Sequence, residues 1–259
     1  VLRLGVLGWP VAHSRSPAMQ NAALRALGLD DWHYQRLPVP PDLFDETVRA
    51  LPQAGFAGAN VTVPHKEAAL ALATDATDAA RAIGAANTLT FDGDVIHADN
   101  TDAPGLIASL SRPVRGLTAL VLGAGGSARA AAYALREAGA AEVRVHNRTP
   151  ERARALADDL GVAHAEEIAP ADVLVQCTTV GLHDPDAAPL DLHALDYAII
   201  VDLVYREGGT ALVRAARAAG LETVDGLEIL VQQGALSLAH WTGRAAPVDV
   251  MRAAALSPG

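Results

Sequence analysis

Short apolar runs alternate with segments of helical period from one end of the chain to the other. Residues 2–7 make a strand-length apolar run, 17–27 carry a helical period, 33–37 read as a strand and 42–51 as a second helix. The alternation continues with a strand at 57–61, helical stretches at 66–73 and 75–83, and extended segments at 87–91 and 95–98 about an Asp92-Gly93 turn. This series predicts an α/β sheet with room for an antiparallel edge. A second series opens with a strand at 117–122, a helix at 126–138, a strand at 142–146 and a helix with Thr149 as N-cap and Pro150 at its first position. Strands at 173–176 and 199–203 extend the second sheet. Pro113 and Gly116 interrupt the pattern, placing the break between the two series in the helix after Asp102, near Ser111-Arg112-Pro113. Residues 227–241 are helical in pattern, but periodicity does not say which domain they pack on.

The length of 259 residues fits one large or two modest domains at about 150 residues each. Hydrophobic residues at 51% and charged residues at 19% exclude a disordered chain. A net charge of -10 without a basic block argues against a general nucleic-acid or anionic-membrane surface, so an anionic ligand must be held locally. One cysteine, Cys177, excludes an internal disulfide framework. No apolar stretch reaches the roughly 18 residues a bilayer requires, and the sequence opens on a strand pattern in place of a signal segment, so a cytoplasmic protein is expected. The scattered histidines and lone cysteine form no metal-ligand spacing. Of 20 basic residues a single one, Lys66, is lysine. Arginine stays protonated, so the sole lysine marks a position where a titratable amine has a use.

The second series carries the clearest local chemistry. Strand residues run directly into Gly123-Ala124-Gly125-Gly126-Ser127-Ala128, a G-x-G-x-x-A loop that opens a helix. Gly123 can make the tight turn, Gly125 can admit a pyrophosphate to the backbone, and Ala128 allows close helix packing, with free helix N–H groups toward the phosphates. After the next strand an acidic residue would select NAD; the chain reads Asn147-Arg148-Thr149-Pro150-Glu151-Arg152 instead. Two guanidiniums and a hydroxyl there suit a 2'-phosphate, and Arg152 near a helix N-terminus is unfavourable unless an anion joins it. NADP is the expected cofactor.

In the first series, Asn60-Val61-Thr62-Val63-Pro64-His65-Lys66 places Asn60 and Thr62 on one face of an extended segment, able to share a ligand. Ser14 and Ser16, Asn87-Thr88 and Asn100-Thr101-Asp102 occupy loops after strands, the positions that line the crevice of an open α/β sheet. So many neutral hydroxyls and amides suit a small polyhydroxylated ligand, with Ser14 and Ser16 able to donate to its carboxylate.

Taken in order, Ser14-Arg15-Ser16-Pro17, 60–66, Gly84-Ala85-Ala86-Asn87-Thr88, Asn100-Thr101-Asp102, the glycine loop, Asn147-Arg148-Thr149, Asp202-Leu203-Val204-Tyr205, Asp225-Gly226 and Gln233 resemble the shikimate dehydrogenase family over essentially the whole chain. The resemblance implies two α/β domains with a cleft between them, a substrate-binding domain of 1–101 plus about 228–259 and a Rossmann-type NADP-binding domain of 102–227. It implies NADP-dependent, reversible reduction of 3-dehydroshikimate to shikimate, the step that leads toward chorismate and aromatic amino acids, with Lys66 and Asp102 as the catalytic pair. Substrate contacts carry over to Ser14, Ser16, Asn60, Thr62, Lys66, Asn87, Asp102, Tyr205 and Gln233. Cofactor contacts carry over to Asp78, Gly123, Ala124, Gly125, Gly126, Ser127, Asn147, Arg148, Thr149 and Arg152, and to backbone at Leu203 and Gly226. Lys66 would protonate the ketone oxygen in reduction and accept the alcohol proton in oxidation, so oxidation is expected to improve as pH rises.

The family often shows Asn-Ala-Thr-Pro where this chain has Gln176-Cys177-Thr178-Thr179-Val180-Gly181, and Cys177 there reads first as a small buried hydrophobe. His13 and His65, beside the candidate site, read as solvated or supporting groups. Small-molecule partners, no nucleic acid or membrane, no metal, and a monomer or homodimer complete the expectation. A quinate/shikimate dehydrogenase that also uses NAD, and a non-catalytic sensor of a shikimate-like ligand, are the alternatives; the arginines argue against the first and retention of Lys66 with Asp102 against the second.

Overall fold

The computed structural model describes residues 2–257. They divide into two compact units, one taking the chain up to Thr101 and again from Leu230, the other comprising Asp102–Ile229.

The first unit runs β1 (Leu2–Gly8), α1 (Ser16–Ala26), β2 (Trp32–Pro38), a 3-10 turn (Pro41–Leu43), α2 (Phe44–Ala50), β3 (Phe56–Val61), α3 (Lys66–Leu72), β4 (Asp75–Ala76), α4 (Asp78–Ile83), β5 (Thr88–Asp92) and β6 (Val95–Asp99). Its sheet has the order β2-β1-β3-β5-β6-β4. Only β5 runs against its neighbours, β3 and β6; the other pairings are parallel. The antiparallel element is therefore interior and not the edge the sequence suggested: the Asp92-Gly93 turn folds β6 onto one side of β5 while β3 holds the other. Leu7, Val61, Leu89 and Ala98 pack with Phe44, Val48, Ala69 and Leu72 of α2 and α3.

Two helix expectations change at their starts. Asp75 and Ala76 pair with His97 and Ala98, so the segment expected to be helical from 75 begins as strand. The Thr77 hydroxyl then accepts the Ala80 N–H at 3.1 Å and opens α4. The helix expected from 42 begins as the 3-10 turn and becomes α-helical at Phe44.

The second unit contains α5 (Asp102–Ser109), β7 (Thr118–Leu122), α6 (Gly126–Glu137), β8 (Glu142–His146), α7 (Pro150–Leu160), β9 (Ala163–His164), β10 (Val173–Gln176), β11 (Ile199–Asp202), α8 (Ala211–Ala218) and β12 (Glu222–Val224). All pairings are parallel, in the order β12-β11-β10-β7-β8-β9. This is the doubly wound dinucleotide-binding order, whose direction reverses between β7 and β10. Every residue of β10 and β11 is buried, as in strands covered on both faces. The interruption at Ser111, Arg112 and Pro113 falls inside this unit, between α5 and β7. β9 and β12 are too short to announce themselves by periodicity.

Helix α9 (Gly226–Thr242) continues from the second unit's residues into the first unit's, and α10 (Val248–Leu256) packs on α1. Gln20 Nε2 donates to the Gly234 carbonyl at 3.0 Å and Trp241 Nε1 to that of Leu89 at 3.0 Å, which ties most of α9 to the first unit. Among the described residues no helix is long and apolar enough to cross a membrane.

Candidate active site

In the first unit the polar positions gather at the ends of β1, β3, β5 and β6. Asn60, Asn87, Thr88, Thr101, Gln233 and Ser237 are all buried. Asn87 is the hub: its Oδ1 accepts the Thr101 N–H at 2.7 Å and its Nδ2 donates to Thr101 Oγ1 at 3.0 Å and Gln233 Oε1 at 3.1 Å. Asn60 Nδ2 donates to Ser237 Oγ at 2.8 Å, and the Tyr34 hydroxyl donates to Asn60 Oδ1 at 2.8 Å. Thr88 and Thr101 hydroxyls lie 2.9 and 3.0 Å from Ser237 Oγ. Such satisfied buried networks rigidify the groups they contain.

Asn60 and Thr62, read as able to share a ligand, differ in how far the protein already engages them. Both polar ends of the Asn60 amide are engaged by protein groups, as are those of Asn87. Thr62, just beyond β3, is half-buried and its backbone N–H goes to the Leu7 carbonyl at 2.8 Å. Its hydroxyl has no hydrogen bond among the described residues, which leaves it open to a ligand.

Ser14 and Ser16 are buried at the start of α1, whose first turn holds no acidic side chain. The Ser16 N–H donates to Ser14 Oγ at 3.3 Å. Arg36 Nε and Nη2 donate to the Ser14 carbonyl at 3.2 and 2.8 Å, fixing this turn from β2. Two hydroxyls at an 11-residue helix's positive end suit a carboxylate.

Lys66 is the first residue of α3 and is 9% exposed. Its carbonyl accepts the Ala86 N–H at 2.9 Å, which places the lysine backbone beside the residue preceding Asn87. Asp102 opens α5 directly after Thr101, itself pinned to Asn87. Of the two expectations for His65, solvated or supporting, the structure fits the second: it is 2% exposed, its Nε2 lies 2.7 Å from the Val39 carbonyl, and it stacks on Phe44 at 4.4 Å. Burial lowers its pKa and keeps it neutral, so Nε2–H donates to Val39 and the ring anchors the start of α3.

In the second unit the loop after β7 provides Gly123, Ala124 and Gly125, followed by Gly126 and Ser127 in the first turn of α6. Gly123 has φ +115°, which side chains rarely adopt. Gly125, the N-cap, has an ordinary φ of -97° and nothing within 4 Å of a Cβ built there. The fold gives no internal reason for glycine at 125; open approach to the helix N-terminus does, and it fits a pyrophosphate. After β8, Asn147 Nδ2 donates to the Thr149 carbonyl at 3.0 Å. Thr149 holds the N-cap position of α7, but its hydroxyl makes no cap bond, contrary to the capping role expected. Arg148 and Arg152 are exposed and their guanidiniums have no ion pair or hydrogen bond among the described residues.

Leu203 and Tyr205 follow β11 and are half-buried. A Cβ on Gly226 would sit 2.3 Å from the Leu203 carbonyl oxygen and 2.8 Å from the Tyr205 nitrogen, so glycine at 226 lets α9 begin against this loop. Asp78 is exposed in the first turn of α4, in the other unit from the rest of the cofactor set, where a carboxylate already complements the helix end. Cys177 is half-buried and not the buried hydrophobe expected, because it begins the loop after β10 and its N–H bonds the Leu122 carbonyl at 2.8 Å. No group of three or more metal-ligating side chains occurs among the described residues. Sequence reasoning missed Tyr34, Ser237, Arg36 and Trp241. Gly58 inside β3 was the one usable signal, since a Cβ there would meet Trp241 Nε1 at 2.2 Å.

Comparison with known proteins agrees with this architecture. The family model described as shikimate dehydrogenase substrate binding domain matches residues 6–89, that of shikimate / quinate 5-dehydrogenase matches 106–181, and that of the shikimate 5'-dehydrogenase C-terminal domain matches 226–256. A shikimate dehydrogenase (NADP(+)) from Methanothermobacter thermautotrophicus is 41% identical over 264 residues, covering 95% of this chain and 93% of the relative. The solved shikimate 5-dehydrogenase of Thermus thermophilus, in complex with NADP(H) and shikimate, superposes with TM-score 0.91 at 43% identity over 98% of each chain. A 5-ketofructose reductase of Gluconobacter sp. strain CHM43 shares the fold with TM-score 0.87 at 30% identity, covering 98% of this chain and 97% of that one. With near full-length coverage at over two-fifths identity, this chain belongs to the shikimate dehydrogenase family.

Proposed function

We propose that this protein interconverts 3-dehydroshikimate and shikimate with NADP(H), the dehydrogenase step toward chorismate and aromatic amino acids. The observation that carries the reading is the sole lysine, nearly buried at the start of α3 and backbone-linked to the residue before the Asn87 hub. Ser14 and Ser16 hold the carboxylate, while Asn60, Thr62, Asn87, Asp102, Gln233 and Tyr205 take the hydroxyls and carbonyl region. Asn60 also bonds Ser237 and Tyr34, which fixes its amide.

Gly123 to Ser127 receive the pyrophosphate, with Asn147, Arg148, Thr149 and Arg152 around the 2'-phosphate and backbone at Leu203 and Gly226 toward the nicotinamide; Asp78 is the outlying member of the set. The bound cofactor supplies or removes a hydride. Lys66 Nζ manages the proton: as ammonium it stabilises the developing alkoxide and protonates it, and as amine it receives the alcohol proton in reverse. Asp102 orients Lys66 and binds a substrate hydroxyl. Oxidation needs the amine at the start of the cycle and reduction the ammonium, so oxidation gains as pH rises.

A nicotinamide absorbance assay with shikimate and quinate against NADP and NAD tests the reading, with pH profiles in both directions. Turnover with shikimate and NADP, rising with pH for oxidation, is expected. Equal use of quinate and NAD indicates the broader dehydrogenase, and NADPH binding without turnover indicates a ligand sensor. We further read the protein as cytoplasmic, a monomer or homodimer with small-molecule partners only. The lone cysteine supports the compartment, and the net charge of -10 the lack of a nucleic-acid partner.

A further inference from the structure

Asp202 is buried at the end of β11 and has no part in the proton or hydride chemistry. It is 1% exposed, deeper than any arginine or lysine that could pair with it. Its Oδ1 accepts the Val204 N–H at 3.0 Å and its Oδ2 accepts the Thr210 hydroxyl at 2.6 Å. One carboxylate thus grips both ends of the loop 203–210. Thr210 in turn accepts the Val213 N–H at 3.2 Å as N-cap of α8, so the far anchor is itself fixed to a helix. At the loop's middle, Arg206 Nη2 donates to the Leu182 carbonyl at 2.8 Å and Nε to that of Gly181 at 3.3 Å. On the remaining side, Gly226 admits the Leu203 carbonyl and Tyr205 nitrogen at distances no side chain would allow. The loop is held at four points, and Asp202 supplies two.

We propose that Asp202 is a positioning residue whose carboxylate sets the conformation of the Leu203 carbonyl and Tyr205, and through them the substrate-side and nicotinamide-side geometry. This rests on the reading of Leu203 and Tyr205 as cofactor and substrate contacts. An unpaired buried carboxylate is costly to keep, and Asp225 nearby adds like-charge repulsion, so burial pushes Asp202 up to about 6. A group retained for stability alone would be replaced without loss by an uncharged one. A carboxylate is the side chain that accepts from a backbone N–H and a hydroxyl together with two separate oxygens. Asn offers one acceptor, and its Nδ2 only donates, so the Thr210 hydroxyl loses the oxygen it donates to.

The test uses the full chain with Asp202→Asn, Thr210→Val and Thr210→Ser, assayed for shikimate oxidation, for binding of 2',5'-ADP and for amide exchange across 203–209. Asp202→Asn and Thr210→Val are expected to raise the KM for shikimate about tenfold, the worth of one hydrogen bond to a charged group. Exchange at 203–209 should quicken, 2',5'-ADP affinity should hold because that fragment reads only the Arg148 end, and Thr210→Ser should restore KM. A general structural defect would weaken 2',5'-ADP binding alongside KM and overturns the proposal, as does unchanged exchange in both Asp202→Asn and Thr210→Val. If the wild-type protein does not oxidise shikimate, the functional reading fails while amide exchange still decides whether Asp202 holds the loop.

Discussion

The two units solve the same problem, presenting polar groups to a small molecule, by opposite means. In the first, six buried side chains from β3, β5, α9 and the segments between them satisfy one another before any ligand arrives. In the second, the groups at the glycine loop and beyond β8 stand open: Gly125 has empty space around it and Arg148 and Arg152 are exposed. The difference follows from what each must recognise. A ring of neutral hydroxyls is told from its isomers by rigid, oriented partners, and a network of buried amides and hydroxyls supplies rigidity. Phosphates are recognised by charge and backbone N–H groups, which work from exposed positions at a helix end.

Replacing Lys66 strikes the chemistry without touching either solution, so it gives the largest effect. Lys66→Ala is expected to lower kcat by roughly 10³-fold, within the span of general acid-base catalysis, with melting and NADPH binding retained. A residual rate within tenfold of wild type would remove the lysine from the chemistry.

Asp202 is the place where the second unit adopts the first unit's device, and there the charge has a cost. Its pKa is about 6 in the folded protein against an ordinary 3.8. Between those values the folded state keeps a proton that the unfolded chain has released. The stability from this group is therefore complete below about pH 3.8 and is lost as pH rises through about 6, on the order of 3 kcal/mol in full. Denaturant titrations from mildly acid to neutral pH should show wild type declining relative to Asp202→Asn; parallel curves would mean that the carboxylate stays ionised without strain.

Ser237→Ala sharpens the contrast from the other side. It removes the shortest of the three acceptors of Asn60 Nδ2 and a neighbour of both threonine hydroxyls, so a loss of about 1–3 kcal/mol is expected. A neutral result by chemical denaturation would show that the network is not rigid. Arg148→Gln should do the reverse: stability within about 0.5 kcal/mol of wild type, and the KM for NADP raised about tenfold with that for NAD unchanged. If NADP and NAD suffer alike, Arg148 is not the 2'-phosphate partner.

The exposed solution was the more legible one. The glycine loop, Arg148 and Arg152 sit within 30 residues of one another, and their meaning depends on local backbone and a strand-to-helix context that hydrophobic periodicity reveals. In the first unit the sequence offered Asn60, Thr62 and Asn87 as polar positions in the right loops, but it could not separate a ligand contact from a scaffold. Asn60 was read together with Thr62 because alternate residues share a face; Tyr34 and Ser237, 26 and 177 residues away, claim its amide. The same limit hid the interior position of β5 and the neutral, stacked state of His65.

The sequence by itself determined the alternation of strands and helices, the glycine loop in its βα context, the arginines that stand where an acid would select NAD, and the single lysine. These rest on interactions between residues close in the chain, whose period and type carry the information. The tertiary structure decided which polar side chains are already bound to each other, that one carboxylate grips both ends of the loop after β11, and that a glycine at 226 makes room for that loop. Those outcomes depend on which distant segments meet, and a hydrogen bond is worth making in the interior only after packing has excluded water from both of its partners.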